Sequence, residues 1–323
     1  MNFKYILLPL LSFIITVGLL PSLIKYLHRL KFGQSIREEG PQSHAVKKGT
    51  PTMGGISFLI AIIISLTVAI FIDFENSVYY LLFIYTVFSF SIIGYIDDML
   101  IVVKKKNDGL SPRYKLYLQI LFSTIFYILL KLVYGDIGYI KIPFLDYNLN
   151  MSIIYLLFVI FWQTGFSNAV NLTDGLDGLA TSVTIITTST LALLAYRVNN
   201  YPVFIFSIII VAALIGFLLF NKKPAKIFMG DTGSLSLGAM LSAISIILHQ
   251  EIAFLFIGLV YVLETGSVIL QVLYFKKTGK RIFKMSPLHH HFELSGHGEV
   301  KTVYIFVIIA ILSSSIGYFI GVS

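Results

Sequence analysis

The chain has 323 residues, 57% of them hydrophobic and only 12% charged, and its mean hydropathy is +0.86. A soluble domain carries about 25% charged residues, so half that share leaves too little polar surface to cover a water-facing globule. The net charge of +8 would suit nucleic acid, but the basic residues sit in short clusters between apolar blocks, which argues against a nucleic-acid partner. Cysteine is absent, excluding disulfide frameworks and thiolate chemistry.

The apolar blocks fall near 4–27, 54–72, 78–96, 114–134, 151–170, 179–196, 202–220, 234–249, 252–275 and 302–321. Most approach the ~20 residues that a helix needs to cross hydrocarbon. They predict an all-α integral membrane protein of about ten transmembrane helices, folded as one domain over 1–323. The first block is long for a signal-peptide core and no small-residue cleavage site follows it, so it reads as a retained span. After the fourth block, the turn residues Gly135-Asp136 and Asp146-Tyr147-Asn148 flank the alternating run Ile140-Lys141-Ile142, the pattern of a small outer β-hairpin. Lys and Arg set the orientation, because short loops rich in them stay cytoplasmic. Connections 28–53, 97–113, 171–178, 221–233 and 276–301, with their flanks, hold 20 Lys and Arg, against 4 (Lys4, Lys131, Lys141, Arg197) elsewhere. The first set is predicted to be cytoplasmic and both termini extracytoplasmic.

The polar motifs gather on that cytoplasmic side. The segment Lys47-Lys48-Gly49-Thr50-Pro51-Thr52-Met53-Gly54-Gly55 lacks the spacing of a P-loop, but it offers lysine and backbone N–H groups to a phosphate or base. Asp97 and Asp98 stand at the predicted end of the third span. Adjacent helical residues point about 100° apart, so one carboxylate is expected to face a cleft and the other a neighbour or a metal. An acidic pair at a helix C-terminus opposes the dipole, so something else must favour it there. Asn171, Asp174 and Asp177 recur every three residues, along one side of a helical turn, with Asp177 a candidate N-cap for the sixth span. Acceptors at that spacing suit ribose hydroxyls, a base edge or a metal.

Further on, Asn221 to Ser234 carries Phe228-Met229-Gly230-Asp231 into the eighth span. A helix N-terminus offers N–H groups to phosphate, and an aspartate there repels phosphate unless a divalent cation lies between them. That pairing suggests an Mg²⁺–diphosphate site, with Asp231 as the metal ligand. In the ninth span Glu264, Ser267, Val268 and Gln271 share a helical spacing, and Glu264 is the one acidic residue deep within an apolar block, where it needs a partner. His289, His290 and His291 follow Met285-Ser286-Pro287-Leu288. Consecutive histidines diverge on a helix, so bonds to a diphosphate suit them at least as well as zinc. The blander readings are caps, turns, topology-setting lysines and a basic interfacial loop.

Taken together, these segments resemble the polyprenyl-phosphate N-acetylhexosamine-1-phosphate transferases over essentially the whole chain. The carrying motifs are Gly49 to Gly55, Asp97-Asp98, Asn171 to Gly178, Phe228 to Ser234, and Ser286 to Glu293; the triple histidine points to the muramoyl-pentapeptide branch. The resemblance implies an Mg²⁺-dependent enzyme of the bacterial cytoplasmic membrane, its site facing the cytoplasm. Its substrates would be UDP-N-acetylmuramoyl-pentapeptide and undecaprenyl phosphate, and UMP would be released, in the first membrane step of peptidoglycan synthesis. It allows a homodimer. By the same matching, Asp97 would activate the lipid phosphate with Asp98 in support, and Asp231 would hold Mg²⁺. Lys47, Thr52, Asn171, Asp174, Asp177, Asn221, Phe228 and Gln271 would form the nucleotide pocket, and Ser234 with His289, His290 and His291 would line the diphosphate end. The family often places a lysine shortly after its paired aspartates. Here Met99, Leu100 and Ile101 follow, leaving Lys104, Lys105 or Arg113 to supply it. After the histidines, Gly296-His297 stands where many members carry Gly-Trp. The nearest alternative is a sibling enzyme using UDP-N-acetylglucosamine. A secondary transporter is more distant, since its polar residues should lie near midplane in broken, repeated helices.

Overall fold

The computed structural model describes residues 3–30, 49–104, 109–135, 137–145 and 147–323. In chain order the elements are α1 (Lys4–Arg29), α2 (Gly55–Ile72), α3 (Ser77–Lys104), α4 (Pro112–Tyr134), β1 (Tyr139–Ile142), β2 (Tyr147–Asn150), α5 (Ile154–Thr173), α6 (Leu179–Arg197), α7 (Tyr201–Asn221), α8 (Gly230–Ile247), α9 (Glu251–Ile257), α10 (Leu259–Thr278), α11 (Leu288–Leu294) and α12 (Glu299–Val322). Among the described residues, nine helices are long and apolar enough to cross a membrane: α1 to α4, α6 to α8, α10 and α12. The fifth predicted span, α5, is 20 residues long but carries Gln163, Asn168 and Asn171 along its second half. It packs against α8, α4 and α10 rather than presenting a purely apolar wall.

Helix α8 is the axis of the bundle. Its residues from Thr232 to Ile247 are all buried, and its faces are built from Gly, Ala and Ser between larger apolar residues. Without a hydrophobic drive between helices in lipid, close backbone approach and interhelical hydrogen bonds hold such a bundle together. Both devices are present. Ser236 donates to the Val87 carbonyl of α3 at 2.9 Å, and Trp162 of α5 donates to Ser245 at 2.9 Å. A Cβ on Gly238 would lie 2.2 Å from the Phe166 carbonyl oxygen, so only glycine lets α5 and α8 meet there. Outer helices leave Leu, Ile and Phe exposed, as lipid-facing surfaces do: Ile308, Leu312 and Phe319 on α12, and Ile269, Leu270 and Leu273 on α10.

Three features differ from the sequence expectation. Helix α3 continues to Lys104, so Asp97 and Asp98 lie inside it rather than at its end. The ninth block divides at Gly258 into α9 and α10; Ser314 of α12 donates to the Ile257 carbonyl at 3.2 Å beside that break. Helix α5 stops at Thr173, so Asn171, Asp174 and Asp177 do not share one helical turn, and the residue before α6 is Gly178 at φ +75°, with no side-chain cap from Asp177. The expected hairpin is present, with Tyr139 opposite Asn150 and Ile142 opposite Tyr147. His249 docks it, stacking on Tyr139 at 4.1 Å. At the same end Lys4 pairs with Asp73 at 2.7 Å. The aspartates of α3 and α8 sit at the other.

Candidate active site

Where α3, α4, α5 and α8 converge, Lys115 joins two carboxylates. Its Nζ lies 2.6 Å from Asp231 Oδ2 and 3.3 Å from Asp97 Oδ1. Lys115 sits in the first turn of α4, just past Pro112, whose fixed φ suits a helix start. Asp97 also accepts the Leu110 N–H at 3.0 Å, and a Cβ on Gly109 would lie 2.6 Å from its carboxylate, so glycine lets this loop close over Asp97. From α5, Asn171 donates to Asp231 Oδ1 at 2.7 Å and to Ser234 Oγ at 2.9 Å. Asp231 thus takes one donor on each oxygen, yet its side chain remains 22% exposed.

Asp98 points elsewhere. It is 4% exposed, and it accepts the backbone N–H of Asp231 at 3.1 Å, the N–H of Thr232 at 2.9 Å and the Thr232 hydroxyl at 2.6 Å. These are first-turn donors of α8, which intrahelical bonding leaves unsatisfied. A carboxylate at a helix N-terminus is also favoured by the dipole. Asp98 therefore caps α8 from a different helix, which resolves why an acidic pair is tolerated on α3. The two helices touch so closely that a Cβ on Gly94 would fall 2.1 Å from the Asp231 carbonyl oxygen. The loop before α2 closes the same corner. Phe228 N–H donates to the Pro51 carbonyl, and Gly54 and Gly55 N–H donate to the carbonyls of Phe228 and Met229, all within 2.9 Å. This pairing brings the Thr52 hydroxyl against Gly230.

Comparison with known proteins places the chain in a family. Glycosyl transferase family 4 matches residues 80–249. A phospho-N-acetylmuramoyl-pentapeptide-transferase signature matches residues 47–59. The chain is 53% identical over 318 residues to the phospho-N-acetylmuramoyl-pentapeptide-transferase of Staphylococcus carnosus, covering 98% of each. It is 54% identical over 321 residues to that of Staphylococcus saprophyticus, covering 98% of this chain and 99% of the relative. Against that of Staphylococcus aureus strain MSSA476 it is 53% identical over 317 residues, covering 97% and 98%. The chain belongs to the phospho-N-acetylmuramoyl-pentapeptide-transferase family.

In this transferase, Thr52, Asp97, Asp98, Asn171, Asp231 and Ser234 of the expected site residues meet in one corner. Asp177 and Asn221 lie in an adjoining set. Ala225 N–H donates to Asp177 at 3.0 Å, and Thr181 donates to Asn221 at 2.7 Å, while Asn221 donates to the Ile227 carbonyl at 3.0 Å. Glu299 ties this set to α12 by accepting the Asp177 N–H and pairing with Lys223. Gln271 holds the segment leading to α11: it accepts from Ile282 N–H and Phe283 N–H and donates to the Phe283 carbonyl, at 2.9, 3.0 and 3.0 Å. Phe228 enters through its backbone pairing with Pro51 and Gly54, and Asp174 stands at the end of α5 beside Gly175.

The three histidines take three partners. His289 faces Glu264 and His290 faces Glu293, each at 3.1 Å, while His291 accepts the Lys284 N–H at 3.1 Å. Lys47 and Lys105 lie outside the described residues, as does the side chain of Lys104. Arg113 is exposed. The lysine at the centre is Lys115, which sequence reading had counted only toward topology. The available signal was a lysine one turn inside an apolar helix, a place where a charge needs a partner. A crevice of about 360 Å³ is lined by Asn76, Tyr79, Tyr134 and Asn200 at the opposite helix ends, away from these carboxylates.

Proposed function

We propose that this protein transfers phospho-N-acetylmuramoyl-pentapeptide from its UDP derivative to undecaprenyl phosphate at the cytoplasmic face of the bacterial cytoplasmic membrane. The products are undecaprenyl-diphospho-N-acetylmuramoyl-pentapeptide and UMP. The observation that carries the reading is Lys115 held between Asp97 of α3 and Asp231 in the first turn of α8. An oxygen of the lipid phosphate forms a bond to the sugar-bearing phosphorus; the bond from that phosphorus to the UMP phosphate breaks, and UMP leaves with the electron pair. Such transfers need positioning and charge stabilisation more than covalent chemistry. Asp97, oriented by Leu110 N–H and Lys115, activates the lipid phosphate. Lys115 offers its ammonium to the transferring group, and Asn171 orients Asp231. Asp98 contributes by fixing the N-terminus of α8 in place.

The donor set fits Mg²⁺. Asp97 and Asp231 share one ammonium, so the corner already accommodates positive charge among hard oxygen atoms, and Mg²⁺ commonly takes one or two carboxylates plus substrate phosphates. Asp231 would hold the ion, which when bound supplies positive charge to the diphosphate. The 20-to-4 division of Lys and Arg supports the cytoplasmic placement. The test is UMP release from the muramoyl nucleotide with and without undecaprenyl phosphate and Mg²⁺, with UDP-N-acetylglucosamine as the competing donor. Asp231→Asn is expected to lower the Mg²⁺-dependent rate by about 10²-fold or more. A near-normal rate in that variant removes the metal assignment, and preference for the acetylglucosamine nucleotide removes the substrate assignment.

A further inference from the structure

Glu264 takes no part in the chemistry above, yet it is fully buried on α10. A carboxylate in the interior needs a partner. It has one: Oε2 lies 3.1 Å from Nδ1 of His289, which is itself 1% exposed. The carboxylate opposite Nδ1 requires a proton on that nitrogen, which leaves Nε2 as the ring atom open to a further partner. Nε2 has no partner in the protein, although it is buried. It is directed at Gly175, where an added Cβ would lie 2.2 Å away. Gly175 follows Asp174 in the turn between α5 and α6, four residues beyond the Asn171 that orients Asp231. The His290 ring lies against it, centroids 4.2 Å apart and tilted by 58°, and restricts its swing. A buried polar atom left unpaired calls for an explanation, and a ligand oxygen arriving at the Gly175 turn supplies one.

We propose that Glu264 is a positioning residue for the transfer. It holds His289 by Nδ1 and presents Nε2 at the Gly175 turn to an oxygen of the nucleotide-sugar diphosphate. The Glu264 carboxylate accepts the Nδ1–H and so fixes the ring with Nε2 turned toward that oxygen. This assignment rests on the transferase reading given above. The sequence shows Glu264 as a carboxylate deep in an apolar block that needs a partner; the contact with α11 supplies that partner.

The test uses the full-length enzyme in lipid nanodiscs. UMP release is measured for wild type, Glu264→Gln, His289→Asn and the double variant, together with melting temperatures and the ¹⁵N spectrum of histidine-labelled protein. Glu264→Gln is expected to lower kcat by about 10- to 100-fold, the range seen when a ligand-orienting partner is removed, with the melting temperature nearly unchanged. The double variant should be no slower than His289→Asn alone, since residues acting as one unit are not additive. In the wild type the His289 signal should show a protonated Nδ1. Losses that multiply in the double variant, or a normal rate in Glu264→Gln beside an impaired His289→Asn, overturn the proposal. An unprotonated Nδ1 in the wild type does so too, even where a variant fails to fold. Absence of UMP release by the wild type counts against the activity itself, and the ring-nitrogen spectrum still decides the Glu264 pairing separately.

Discussion

Lys115 stands between two carboxylates, 2.6 Å from one and 3.3 Å from the other. Its removal would leave Asp97 and Asp231 facing each other without a neutralising charge, and would strip the transferring phosphate of its nearest ammonium. Lys115→Met is therefore expected to reduce the rate of UMP release by about 10²-fold or more. Lys115→Arg should retain part of the activity, because it keeps the charge but replaces a compact ammonium with a planar fork. Equal rates for Met and Arg would show that the charge is not used. At this scale the sequence revealed the residue types and not their pairing. Asp97 and Asp98 are adjacent and look interchangeable, yet one meets a lysine and the other caps a helix through the N–H of Asp231, 133 residues later. That division depends on which face of α3 meets α8. The packing of Gly94 on Asp231 and the Ser236 bond to the Val87 carbonyl set it.

Helices were the most legible level, because apolar blocks of spanning length have few alternatives in lipid. The divided ninth block and the turn that parts Asp174 and Asp177 from Asn171 were not legible. Each depends on a partner far away in sequence: Ser314 beside the Gly258 break, and the α6–α12 corner around Asp177. The same dependence makes helix contacts testable. At Gly94 a methyl group would sit 2.1 Å from the Asp231 carbonyl oxygen and 2.5 Å from Thr232 Cα, all rigid backbone. Gly94→Ala must therefore push α3 from α8 and pull Asp98 off its three donors. Overpacking of this kind costs about 1–3 kcal/mol, and activity should fall together with the melting temperature. Gly18→Ala, on α1 where nothing lies within 4 Å of the added Cβ, should change neither. If both variants behave alike, the close approach of α3 and α8 is not what aligns the site.

The whole molecule has two chemically different ends, and each can be probed alone. At the hairpin end Asp73 accepts from Lys4, Tyr80 and Asn76 at 2.7, 2.7 and 3.1 Å. Burial works against its charge, but these hydrogen bonds and the lysine's charge outweigh it and hold the carboxyl below its usual 3.8. A carboxyl depressed in the folded state stabilises the fold above its unfolded pKa, and that contribution is lost as pH falls through the lower folded value. Wild type should therefore lose stability on acidification below about pH 4. Asp73→Asn should start less stable and show a flatter profile over that window, as read by melts in detergent from pH 6 to pH 3. Parallel profiles would mean that Asp73 does not couple the first and third helices to pH.

The proposed transfer requires the carboxylate corner to open to the cytoplasm, from which the nucleotide would enter. The chain contains no cysteine, so single replacements report position without background. Lys280 follows α10 on the aspartate side, and Lys141 lies in the hairpin at the opposite end. With the basic connections inside, a membrane-impermeant maleimide should label Lys141→Cys in intact spheroplasts and leave Lys280→Cys unreacted. In inverted vesicles the pattern should reverse. Reaction of Lys280→Cys from the outside of sealed spheroplasts would turn the bundle over and place Asp97, Lys115 and Asp231 out of reach of any cytoplasmic nucleotide. That would remove the transfer reaction while leaving the helix packing untouched. The charge asymmetry of 20 against 4 favours the first result, since each misplaced Lys or Arg adds to the cost of the inverted topology.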